Sequence, residues 1–85
     1  MGVKALYIYM GYDEDTGKIF AMQETSVPPS QALPILNQNE YGDIYIQIDF
    51  FNAELAERYY KDGVFYEDAE FTVVISDPVN YVRPE

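Results

Sequence analysis

Between Asp43 and Phe51 the chain alternates without a break. Ile44, Ile46, Ile48 and Phe50 hold one parity, and Tyr45, Gln47, Asp49 and Phe51 hold the other. A repeat of two belongs to a β-strand, where successive side chains leave opposite faces. One face is apolar and the other mixed, so the strand belongs to a sheet with a buried side and a wetter side. Such a strand does not stand by itself and calls for antiparallel neighbours. Tyr45 and Phe51 on the wetter side either pack under a neighbouring element or lie on a binding surface.

The neighbours are written on both sides of it. Residues 3–12 are rich in β-branched and aromatic side chains, and Lys18–Thr25 reads as a returning strand. Between them Asp13-Glu14-Asp15-Thr16-Gly17 is a turn, with Asp favoured at its start and glycine supplying a positive φ. Val27-Pro28-Pro29-Ser30 ends the second strand, because proline donates no ladder hydrogen bond. From there to Gly42, Pro34 and the polar run Asn37-Gln38-Asn39-Glu40 predict mostly loop, with one helical turn around residues 30–36. A loop of that length in a small domain is a candidate contact surface.

After the central strand, Asn52 is a helix cap and strong helix formers fill residues 53–60. Glu54–Arg58 and Glu57–Lys61 stand in favourable i, i+4 order, and Gly63 suits a C-terminal cap. A competing reading makes Lys61-Asp62-Gly63 a hairpin turn between Tyr59-Tyr60 and Val64-Phe65. Both fit if the helix ends before Arg58. Residues 71–76 predict a last strand with Phe71, Val73 and Ile75 on one face, and Asp77-Pro78 breaks it. Residues 77–85 then form an extended C-terminal tail whose Tyr81 and Val82 can clip onto a neighbour or pack on their own domain.

The expected fold is therefore mainly β. It is a single domain over residues 1–85, an antiparallel sheet of four or five strands with one short helix after Phe51; the alternative is α+β. A chain of 85 residues without cysteine has one modest core and no disulfide staple. The apolar run Ala5–Met10 is too short for a membrane span, which points to a soluble protein made in the cytoplasm.

Charge narrows the function classes. Fifteen acidic against five basic residues give a net charge of −10, which opposes direct binding to nucleic acid or to anionic membranes. Histidine is absent, so the commonest general base is missing, and no phosphate loop or nucleophile elbow is present. Paired carboxylates remain available at Asp49, Glu54, Glu57, Glu67, Asp68 and Glu70, yet no sequence feature buries two of them together. Asp13, Asp15 and Glu24 have part of the spacing of a calcium loop. Lys18 holds the place of its glycine and Gly17 comes one residue early, so no metal and no cofactor is expected. The chain is read as non-catalytic.

Two features point to binding. Nine tyrosines exceed what a core of this size needs, and tyrosine offers contact area at low entropic cost. Tyr59, Tyr60, Tyr66 and Tyr81, with Tyr12 and Tyr41, lie near turns or termini. Glu54, Glu57, Asp62, Glu67, Asp68 and Glu70 crowd one stretch that only Arg58 and Lys61 offset. If they share a face, they can imitate the phosphates of a nucleic acid. The candidate partner-binding residues are Tyr59, Tyr60, Tyr66, Tyr81, Glu54, Glu57, Glu67 and Asp68.

Tyr59-Tyr60-Lys61-Asp62-Gly63-Val64-Phe65-Tyr66-Glu67 is similar to a Tyr-Tyr-x-Asp-Gly-x-x-x-Glu hairpin of small bacteriophage tail and tail-fibre-associated proteins. Tyr12-Asp13-Glu14-Asp15-Thr16-Gly17-Lys18-Ile19 resembles the Tyr-Asp-x-x-Thr-Gly-x-Ile hairpin that opens such proteins. The resemblance implies a phage-encoded structural or assembly protein, located in the virion or the host cytoplasm. It would bind other virion proteins, with homo-oligomers formed through edge strands. The alternative is an acidic nucleic-acid mimic that inhibits a basic host defence nuclease, of the anti-CRISPR or anti-restriction type.

Overall fold

The computed structural model describes residues 6–40 and 42–84. It is mainly β with a short helix: five strands in two antiparallel sheets. β1 (Tyr7–Asp13), β2 (Ile19–Thr25) and β3 (Asp43–Ile48) form the larger sheet in the order β2-β1-β3, and β4 (Tyr59–Lys61) pairs with β5 (Val64–Tyr66) in the smaller one. The expected N-terminal hairpin is present. Its turn is knotted by Asp13, whose carboxylate accepts from the amides of Asp15 (2.8 Å) and Thr16 (3.0 Å). Residues 3–5 of the expected first strand, and Tyr41, lie outside the described residues.

The central alternation sorts the two faces of the sheet. Ile46, Ile48 and Phe50 pack with Tyr12 and Met22 against a buried cluster of Met10, Ile19, Leu55, Phe65 and Ile75. The opposite face carries Tyr9, fully buried, whose hydroxyl donates to the Val27 carbonyl at 2.5 Å. Tyr45 lies on that face too, edge-on to Phe20 at 5.7 Å. Of the two readings of Tyr45, packing under a neighbour is the one realised. Gly11 makes it fit, since a Cβ there would stand 2.7 Å from the Tyr45 ring and 2.8 Å from Phe20. Phe20 reaches this face because β2 carries an extra residue there: Gly11 pairs with Ala21, but Tyr12 pairs with Ile19.

Three expectations need correction. Residues 29–36 are not a loop with one turn but an α-helix, α1 (Pro29–Leu36), which packs Ala32 onto the Tyr9 face. Pro29 starts it well, because the first helical position needs no N–H donor, whereas Pro34 lies inside the helix and forfeits the bond to the Ser30 carbonyl. Residues 53–60 are not a helix of two turns. Asn52 does cap, accepting from the Glu54 amide at 3.0 Å, but only a 3-10 turn comes after it, at Ala53–Leu55. Glu57 then turns left-handed (φ 66°), and Arg58 onward enters the hairpin. Tertiary pairing decided the matter: the Glu57 amide donates to Ile19, Ile19 donates to Arg58, and Tyr60 donates to Gly17, all at 2.8–2.9 Å.

Residues 71–76 are not a regular strand. Phe71 has φ 58°, and the residues after it make only one bridge, Tyr66 to Val74. The segment still covers the outer edge of β5, since Glu67 N–H donates to Val73 and Ile75 N–H to Phe65. The tail, finally, is fastened to its own domain through residue 83. The Asn52 amide donates to the carbonyls of Pro78 and Tyr81, both at 2.9 Å, and the Arg83 amide donates to Glu54 at 3.0 Å.

Candidate protein-binding groove

Among the described residues β3 is an edge strand, paired on one side only. Its outward residues are fixed by Asn37 and Asn39, which lie just beyond the end of α1. Asn37 accepts from the Tyr45 amide at 2.7 Å and donates to the Tyr45 carbonyl at 3.2 Å. Asn39 accepts from the Asp43 amide at 3.2 Å and donates to its carbonyl at 3.0 Å. In an antiparallel strand the N–H and C=O of one residue point to the same side, and the side alternates. Asp43 and Tyr45 therefore face outward, and so does Gln47. Among the described residues nothing bonds the N–H or C=O of Gln47.

The bare end of the strand borders an open groove of about 500 Å³. Gln47, Ile48, Asp49 and Phe50 form one wall, Tyr60, Gly63 and Phe65 another, and Pro78 completes it. The hairpin wall is rigid for a local reason. Asp62 (φ 50°) and Gly63 (φ 85°) are both left-handed, the geometry of a two-residue type I′ turn, which matches the twist of the strands. Phe65 is held edge-on by Phe50 (5.8 Å) and Tyr60 (5.1 Å), and the Tyr12 ring lies tilted against Tyr60 at 5.0 Å. Burial, then the neighbouring Tyr60, Glu14 and Asp62, pushes the Tyr12 phenol above its ordinary pKa, so it stays neutral. Among the described residues the lining carries one charged side chain, Asp49, and Asp62 precedes Gly63 in the turn.

Of the candidate partner-binding residues, Tyr60 is the one found among the described lining of this groove. Tyr59 and Tyr66 oppose each other on the outer face of the hairpin and meet Phe71 edge-on, with the Lys61 ammonium 5.1 Å from that ring. Tyr81 is drawn inward: its hydroxyl accepts from Arg58 Nε at 2.8 Å and donates to Glu67 at 2.9 Å. The four acidic candidates each have a partner within the molecule, Glu67 and Asp68 half-buried and Glu54 and Glu57 exposed. Glu54 holds the Arg83 amide, Glu57 stands 3.8 Å from Lys18, and Glu67 holds Tyr81. Asp68 accepts from the Thr72 hydroxyl and from the amides of Thr72 (3.0 Å) and Val73 (2.9 Å). Those bonds, the hydroxyl first, pull its pKa below the ordinary carboxylate value. The i, i+4 pairs expected of a helix do not form, because Arg58 and Lys61 turn to Tyr81 and Phe71.

Gln47, Asp49, Phe50, Phe65 and Pro78 were not among the candidate partner-binding residues. The alternation of β3 carried a signal for the first two, since an edge strand with polar outward positions is where a partner strand can add. Which strand becomes the edge is a tertiary fact. A smaller recess of about 210 Å³ lies under α1, lined by Tyr9, Gln23, Thr25, Val27, Ala32, Ile35 and Leu36; it holds no charged side chain. No family model matches the chain, and neither a curated protein nor a solved structure is similar enough to it to inform its function.

Proposed function

We propose that this chain is a non-catalytic protein of a bacteriophage, a tail or virion accessory component that acts through protein–protein contacts. The observation that carries the binding part is the bare end of β3 beside an aromatic groove. The phage part is supported by the two segments similar to phage tail proteins, both of which fold as hairpins with the turn glycine at positive φ. Its place would be the virion or the host cytoplasm, and its partners other virion proteins. The alternative, an acidic mimic that fills the groove of a host nuclease, needs carboxylates free to face outward. Glu67 and Asp68 are half-buried and spent on internal hydrogen bonds, which leaves two of the four, the exposed Glu54 and Glu57, to face outward, and that favours the first reading.

The two readings predict different salt behaviour. A mimic held by charge weakens steeply as salt rises, whereas contacts that bury aromatic area persist. A tagged pull-down from phage-infected cells, washed at low and at high salt, separates them. Tail or capsid proteins retained at high salt support the virion reading. A basic host nuclease that high salt releases overturns it.

A further inference from the structure

We infer that the groove binds an extended segment of a partner protein that adds to β3 as a fourth strand, and that this segment is cationic. The inference rests on reading the groove as a protein-binding site. Strand addition needs outward backbone groups without partners and a neighbouring depression to seat alternate side chains. Gln47 supplies the first, and Ile48, Phe50, Tyr60 and Phe65 supply the second. Asn37 and Asn39 block the same edge at Tyr45 and Asp43, so an incoming strand is confined to the end that borders the groove. Among the described residues the outer edge of β2 is also bare beyond Ile19, at Met22 and Glu24, but the lining of the groove does not reach it.

Charge selects the occupant. Asp49 lines the groove, Asp62 sits in the turn beside it, and the chain carries −10 overall. A second copy would bring its own Asp49 and its own net charge against these, so self-pairing is opposed. A segment with lysine or arginine at alternate positions meets Asp49 while its apolar positions face the aromatic wall.

The test uses the full chain labelled with nitrogen-15 and a short blocked peptide in which lysine alternates with valine and phenylalanine. Binding should move the amide signals of Gln47 to Phe50, Tyr60, Gly63 and Phe65. Two changes should each weaken it about tenfold or more: N-methylation of alternate peptide residues, and Gln47→Pro in the protein. Proline is tolerated where an edge strand points its N–H outward, so the variant should keep its circular dichroism spectrum and melting midpoint. N-methylation probes the same bond on the unaltered protein, should Gln47→Pro fold poorly. A glutamate version of the peptide should not bind.

Binding at the groove that N-methylation leaves unchanged overturns strand addition while the groove stays a protein-binding site. Signals that move at Met22 and Glu24 instead, or no binding at millimolar peptide, overturn the inference. A concentration-dependent dimer abolished by Gln47→Pro also overturns it, in favour of a second copy. Tail or capsid proteins captured at high salt equally by wild type and Gln47→Pro would sink strand addition but not the virion reading.

Discussion

Along the outer edge of β3, Asp43 and Tyr45 are each met by an asparagine side chain, and Gln47, two residues on, is met by nothing among the described residues. Both halves belong to one strand and share one partner, β1. The difference lies in what the chain places beside them. A side-chain amide carries a donor and an acceptor in the spacing of a peptide group, so Asn37 and Asn39 stand in for a neighbouring strand. Small proteins must manage such edges, since a bare one recruits other chains. Here one half is closed by local sequence, and the other is left open beside a depression.

The contrast breaks most severely if the open half loses its wall. Phe65 is buried and holds Phe50 and Tyr60 in place. Phe65→Ala should cost about 3–5 kcal/mol, read from the denaturant midpoint, and should remove the groove. Gly11→Ala attacks the other half, by pushing Tyr45 and Phe20 apart across β1. Both rings meet it with their far ends on a half-exposed face and can shift, so the overpacking should cost about 1 kcal/mol, the low end for such changes, and the companion change Tyr45→Ala should relieve it. Additive losses in the double variant would show that the clash is not what costs.

A change of similar size sharpens the contrast. Asn37→Ala removes both bonds to Tyr45 and leaves that edge facing water, with a loss of about 1 kcal/mol in chemical denaturation. Its second consequence is more telling. The bare stretch would grow from Gln47 back to Tyr45, and a strand-forming peptide should bind the variant more tightly than the wild type. Equal affinity would show that the asparagine does not limit the edge.

Much of this was legible in the residues. The alternation of Ile44, Ile46, Ile48 and Phe50 foretells the sheet and its buried face, and Asp62-Gly63 foretells the turn. The helix at Pro29–Leu36 was hidden by Pro34, which reads as a breaker although the helix carries it in its interior. At residues 53–60 local propensity pointed to helix and lost, because pairing of residues 57–60 with Gly17–Ile19 offers bonds that no local window contains. The site was less legible than the fold. Tyrosines near turns looked available, but Tyr81 is taken up by Arg58 and Glu67, and the groove is lined by residues chosen through packing.

Asp68 offers the smallest effect and a third case of an edge being covered. Its carboxylate gathers the Thr72 hydroxyl and two amides, and so bends the chain to lay residues 73–75 along β5. Those bonds favour the ionised form, so the folded pKa lies below the unfolded one. The group then contributes stability that is present above the unfolded pKa and lost as pH falls through the folded pKa. Asp68→Asn keeps an acceptor but has no charge to titrate. The stability gap between wild type and Asp68→Asn should therefore be widest at neutral pH and close on acidification to about pH 2. A gap that holds constant over that range would mean that shape at this bend, not the ionised carboxylate, keeps the β5 edge covered.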